Sequence, residues 1–187
     1  FLPAPVPAEE GPGDVSLSDL ESFFRNPARA LLRRLEVATE YDADEIRDAI
    51  PIDLDSLEKW SVGDRVITAM LAGADSQRFV DGELNRGSLP PGELAHQALR
   101  TIIEDAGKAF TASARLRTGE PETVDVVLDL GDGRRLVGAV SGLYGDALVR
   151  ITYSSLRAKP PLALWLDLLV LQAGTDTPLT GYAFGKG

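Results

Sequence analysis

Residues 123–173 constrain the fold more than any other part of the chain. Val124, Val126 and Leu128 alternate with Asp125, Val127 and Asp129, the period of two that a strand with one buried face requires. Gly131, Asp132 and Gly133 supply the positive-φ positions of a tight hairpin, so a second strand returns over 135–140. Gly142 and Gly145-Asp146 make the next turn, and a third strand follows over 147–153. Pro160-Pro161 opens a helix over the apolar run 162–173, interrupted at Asp167, with Gly174 placed to close it as a left-handed C′ residue. The unit is three strands and one strongly apolar helix, and the rest of the chain must pack around it.

Upstream, residues 1–16 read as an extended linker, because Pro3, Pro5, Pro7 and Pro12 with Glu9 and Glu10 build no core. Ser18 and Glu21 have the spacing of a capping box, which starts a helix at Ser18. Leu20, Phe24, Leu31 and Leu35 share a face, and Asn26-Pro27 divides it into two short helices. Arg25, Arg29 and Arg33 fall at i, i+4 spacing and form either a solvated face or a contact for phosphate or a partner. The acidic excess over 40–58 is a solvated surface or faces a basic partner. From Leu54 the apolar positions Leu57, Trp60, Ile67 and Met70 predict a helix relaxed near Gly63 and ended by Gly73. Residues 87–92 are a loop. Leu94, Ala98, Ile102, Ala106 and Phe110 predict an amphipathic helix, and 181–184 a further strand. The pattern is α+β with a helical insertion.

Composition removes several chemistries. The 187 residues are 44% apolar and 26% charged, enough for one ordinary domain. A net charge of −10 argues against a broad phosphate-binding surface, since non-specific nucleic-acid affinity comes from cations displacing counterions. With no cysteine there is no disulfide, thiolate metal site or Cys nucleophile. The longest apolar run is about half of what a bilayer crossing needs, so a cytoplasmic, membrane-free protein is expected. The single histidine, His96, has no GxSxG elbow to serve, and the glycines near the C-terminus do not form a P-loop. Asp125, Asp129, Asp132 and Asp146 read as strand and turn residues, not as Mg²⁺ ligands.

The order of a capped helix with a Pro-containing motif, a Gly-x-x-x-His helix (Gly92 to His96), a three-strand meander and a helix resembles the PD-(D/E)XK nuclease domain of RecB and related exonucleases. Where that family carries Gly-x-x-Asp, this chain has Gly138-Ala139-Val140-Ser141, and Arg150-Ile151-Thr152 stands where Asp-x-Lys would stand. Ala163 replaces the Gln that opens the family's next helix. LDSLEKWSVGDRVITAMLAG with RGSLPPG, LSDLESFFRNPARALLRR and LALWLDLLVLQAG are further similar to the C-terminal domains of RecC subunits, in which the nuclease-like core has lost its carboxylates. The resemblance implies a nuclease-like core over 17–187, with mixed β-sheet flanked by helices and a helical insertion at about 52–110. It implies no cofactor, no metal and no catalytic residue, with His96, Ser141, Arg150 and Thr152 as degenerate nuclease-site positions lying together. It further implies a structural role within exodeoxyribonuclease V (RecBCD), in double-strand break repair by homologous recombination. The partners would be the RecB and RecD subunits and DNA held by the full complex. Two alternatives stay open: a metal-dependent nuclease with carboxylates relocated to Asp125, Asp129 or Asp146, and an unrelated acidic interaction module. In the scaffold reading Trp60, Val62, Ile67 and Met70 form an exposed apolar patch for a partner, flanked by Asp42, Asp44 and Glu45.

Overall fold

The computed structural model describes residues 13–35, 53–157 and 159–186. A two-residue strand β1 (Val15–Ser16) leads into α1 (Leu17–Arg25) and α2 (Pro27–Arg34). Then come α3 (Ser56–Leu71), α4 (Ser76–Asn85) and α5 (Glu93–Ala112), strands β2 (Glu122–Asp129), β3 (Arg135–Tyr144) and β4 (Ala147–Ile151), helix α6 (Lys159–Ala173) and β5 (Thr180–Phe184).

The sheet is mixed and organised by β3. Along most of its length β3 pairs antiparallel with β2. On its other side it meets β1 in parallel at Leu136 and Val137, and β4 antiparallel only at Leu143 and Tyr144. β4 continues in parallel with β5. The hairpin after β2 forms as the sequence requires, with Gly131 and Gly133 at φ 82° and 81°. The strand β3 is longer than the predicted 135–140, because Gly142 is not a turn residue. It sits inside β3 at φ 80°, next to a register shift between Glu122↔Leu143 and Thr123↔Ser141. This is the signature of a β-bulge, which adds one residue to a strand and bends it. Gly145 alone carries the left-handed turn, at φ 63°.

Two larger apolar cores result, beside a small cluster of Tyr144, Ala147 and Val149. One lies between the sheet and the helices α1 and α6, where Val126, Leu136, Val140, Leu143 and Leu148 meet Leu17, Leu164, Val170 and Leu171. Val140 and Leu148 are wholly buried, each contributing on the order of 2 kcal/mol by area alone. The close approach of α1 needs Gly138, where a Cβ would fall 2.7 Å from the Leu17 Cβ. The second core joins α3 and α5 through Val62, Val66, Ile67, Leu99, Ile102 and Ala106, with Tyr153 reaching in from the end of β4.

Several local expectations are corrected. The cap of α1 is Ser16, whose Oγ accepts from the Asp19 amide at 3.0 Å, so Ser18 and Glu21 form no capping box. The pair Asn26-Pro27 does divide two helices, and Asn26 Oδ1 caps the second by accepting from the Arg29 amide. Of the expected α1–α2 face, Phe24 and Leu31 are exposed. Helix α3 runs unbroken through Gly63, because the missing side chain there admits the Tyr153 ring, 2.0 Å from where a Cβ would stand. Its N-terminus carries a complete capping box, Asp55 with Glu58. On α5 the buried positions are Ala95, Leu99, Ile102, Ala106 and Ala109, a face turned from the one predicted, leaving Leu94 exposed. Gly174 follows α6 but is not among the positive-φ glycines. Among the described residues, no helix is long and apolar enough to cross a membrane.

Candidate functional site

Beyond Leu143 and Tyr144, β3 and β4 no longer pair, and the side chain that enters the opening is Arg150. The bulge at Gly142 bends β3 away while Leu148 stays in the core, so Arg150, two residues on along β4, faces α6 and α1. Its Nε and Nη2 donate to the same oxygen of Asp167, Oδ2, at 3.1 and 2.6 Å. Its Nη1 donates to the main-chain carbonyl of Ser141. The Asp167 carboxylate is 6% exposed, so the ion pair is nearly dry on its acidic side.

A second carboxylate shares this site. Glu21 of α1 has its pKa raised, chiefly by burial, then by repulsion from and a hydrogen bond with Asp167, against the lowering pull of Arg25 and Arg150. Two acids thus face one part-buried cation. Neither Glu21 nor Asp167 was identified as a site residue from sequence. Asp167 did leave a signal, as the lone acid inside an apolar helix, because a charge in such a place is kept only with a partner. Glu21 fitted a capping pattern and was hidden by it.

The predicted degenerate positions are brought together only in part. Ser141 and Arg150 line one cleft with Thr123, Gly142, Tyr144, Val149 and Arg117. The Ser141 carbonyl meets Arg150, while its neighbour Val140 points into the core. Thr152 lies just past the end of β4, and its amide donates to the Phe184 carbonyl at 2.9 Å. His96 is elsewhere: it is exposed on α5 and lines a different depression with Val80, Glu93 and Arg100. The helix turns Ala95 and Leu99 inward, which directs the adjacent imidazole outward. Arg25, Arg29 and Arg33 are all exposed, but the break at Asn26 puts Arg25 on α1 and the other two on α2.

Chemically, the cleft beside Ser141 is lined by two guanidinium groups, Arg117 and Arg150, and by no carboxylate. Arg117 is itself anchored, its Nε donating to Ser113 Oγ at 2.9 Å and its guanidinium stacked 3.7 Å from the Phe110 ring centre. A guanidinium keeps its charge throughout the physiological range, so this cleft repels a divalent cation. Among the described residues, no group of three or more His, Asp or Glu side chains comes together as a metal cluster.

The described residues therefore form a mixed α/β arrangement: a five-stranded sheet, the helices α3 to α5 packed beside it, and a part-buried ion pair filling the gap between two strands. Residues 12–183 match the model of the RecC C-terminal domain family. The chain is 38% identical over 173 residues to the RecBCD enzyme subunit RecC of Mycolicibacterium smegmatis, and 38% over 172 residues to that of Mycobacterium tuberculosis strain H37Rv, covering 92% of this chain each time. The RecC subunit of Escherichia coli K12 is 26% identical over 161 residues, 85% of this chain. The chain belongs to the RecC C-terminal domain family. It spans 14% to 16% of the length of these relatives.

Proposed function

We propose that this chain is a non-catalytic, nuclease-like scaffold domain of a RecC subunit, acting within a RecBCD helicase-nuclease in the cytoplasm. In this reading residues 17–187 form one domain with a PD-(D/E)XK-type core, and the helical insertion spans about 52–110. The domain supports assembly with RecB and RecD and helps guide DNA strands during double-strand break repair, while cutting belongs to other subunits. The carrying observation is Arg150: it lies in the gap between β3 and β4, paired with Asp167, and Ser141 beside it supplies only its main-chain carbonyl. Arg150 already occupies the Asp167 carboxylate, so Mg²⁺ would have to displace a guanidinium that keeps its charge. The exposed Arg25, Arg29 and Arg33 are the proposed contacts for DNA or a partner.

Co-purification with RecB and RecD, paired with a Mg²⁺-dependent cleavage assay on linear duplex DNA, tests this reading. Association without cleavage is expected. Failure to associate with either subunit contradicts the scaffold role. Cleavage lost on Asp125→Asn, Asp129→Asn or Asp146→Asn would instead favour the nuclease with relocated carboxylates.

A further inference from the structure

The outer edge of β2 is open. Among the described residues β2 pairs only with β3, leaving an eight-residue strand with one free row of main-chain donors and acceptors, which a second chain can use as a template. A groove runs along this edge. Apolar side chains line much of it, Val124, Val126 and Leu128 of β2 with Val170 and Leu171 of α6, and Asp125, Thr175 and Thr177 complete the lining. On the opposite face of β2, Asp125 and Asp129 flank Val127, which is 63% exposed.

We propose that this edge binds an extended segment of a partner protein by strand addition, and that the segment alternates apolar with basic side chains. The period of two decides the chemistry. Every second side chain of an added strand enters the apolar groove, and those between stand beside Asp125 and Asp129, which attract Lys or Arg as cross-strand neighbours. Charge also decides against other occupants. A second copy pairing through β2 would bring Glu122, Asp125 and Asp129 against like charges. The acidic stretch 40–52 meets the same repulsion, and residues 1–12 carry four prolines, which cannot donate to a ladder.

The probe is an amidated ten-residue peptide alternating valine or isoleucine with lysine or arginine, titrated into the isotope-labelled chain and followed by amide NMR shifts. Its control has the same composition with apolar and basic residues in separate blocks. Saturable binding of the alternating peptide is expected, with shifts confined to 122–129 and 174–179. Reversing two exposed charges in Asp125→Lys/Asp129→Lys should weaken it about tenfold. If that variant misfolds, Asp125→Asn/Asp129→Asn provides the comparison with a smaller loss. Equal affinity for the two peptides, shifts centred elsewhere, indifference to both pairs of substitutions, or self-association of the free chain through β2 overturns the proposal.

Discussion

Each half of the molecule buries one carboxylate, and the two are treated in opposite ways. In the helical insertion Glu83 of α4 is 2% exposed and over-supplied with cations. Arg65 of α3 donates to both its oxygens, at 2.8 and 2.6 Å, and Arg86 stands 3.0 Å away. Both arginines reach solvent, so the clamp is closed from outside, and it ties α3 to α4. In the sheet half Asp167 has one arginine, and that arginine must also answer for Glu21. The first arrangement is a staple. The second sets Asp167 against Arg150 alone, while Glu21 also has Arg25 at 4.0 Å, and the molecule's balance is most exposed to a single substitution at Arg150.

Arg150→Ala should produce the largest effect. It leaves Asp167 buried beside Glu21 with no counter-ion, at a cost of about 3 kcal/mol, read as a lowered midpoint in urea unfolding at neutral pH. The loss should shrink in acid, where Glu21, its pKa raised, takes up a proton and no longer repels Asp167. A loss equally large at pH 4 and pH 7 would mean that Arg150 acts by packing alone. Glu83→Ala should cost less, about 2 kcal/mol, because Arg65 and Arg86 can turn into water once their partner is gone. If Glu83→Ala proves the more damaging, the contrast between the two carboxylates is misjudged.

Much of this frame was legible in the sequence. The alternation at Val124, Val126 and Leu128, the glycine pair of the hairpin and the apolar run of α6 act locally, and each became the element it signals. What failed depended on partners distant in the chain. Gly63 reads as a helix breaker until Tyr153, ninety residues later, is seen to need its space. Val62 and Ile67 were expected to help form an exposed patch, but they pack against α5 and are 2% and 3% exposed, leaving Trp60 outside. Helix α4 was missed because its apolar residues, Phe79, Val80 and Leu84, are few and its cap is the single Asp75. Asp42, Asp44 and Glu45 lie outside the described residues. At the site, Arg150 and Ser141 were reached through the resemblance to the nuclease family, whereas Glu21 and Asp167 come together only through the packing of α1 on α6.

The smallest predicted effect has the opposite sign. Because the Glu21 pKa is raised in the folded state, the stability linked to its proton is fully present below the ordinary glutamate pKa. It is lost as pH rises through the elevated value. Glu21→Gln removes the repulsion at neutral pH and should stabilise the chain there by under about 1 kcal/mol. Its advantage over the parent should grow as pH rises from 4 and then level off. A constant difference, or a destabilised variant at pH 7, would show that Glu21 and Asp167 do not compete for Arg150.

The central claim is that the gap between β3 and β4 is closed by a resident guanidinium and is not a metal site. Titration with Mn²⁺, followed by paramagnetic broadening of amide signals, tests it most directly. The account predicts no saturable broadening centred on Ser141, Arg150 and Asp167 in the parent chain. Stoichiometric broadening centred on those three residues, competed by Mg²⁺, would contradict it.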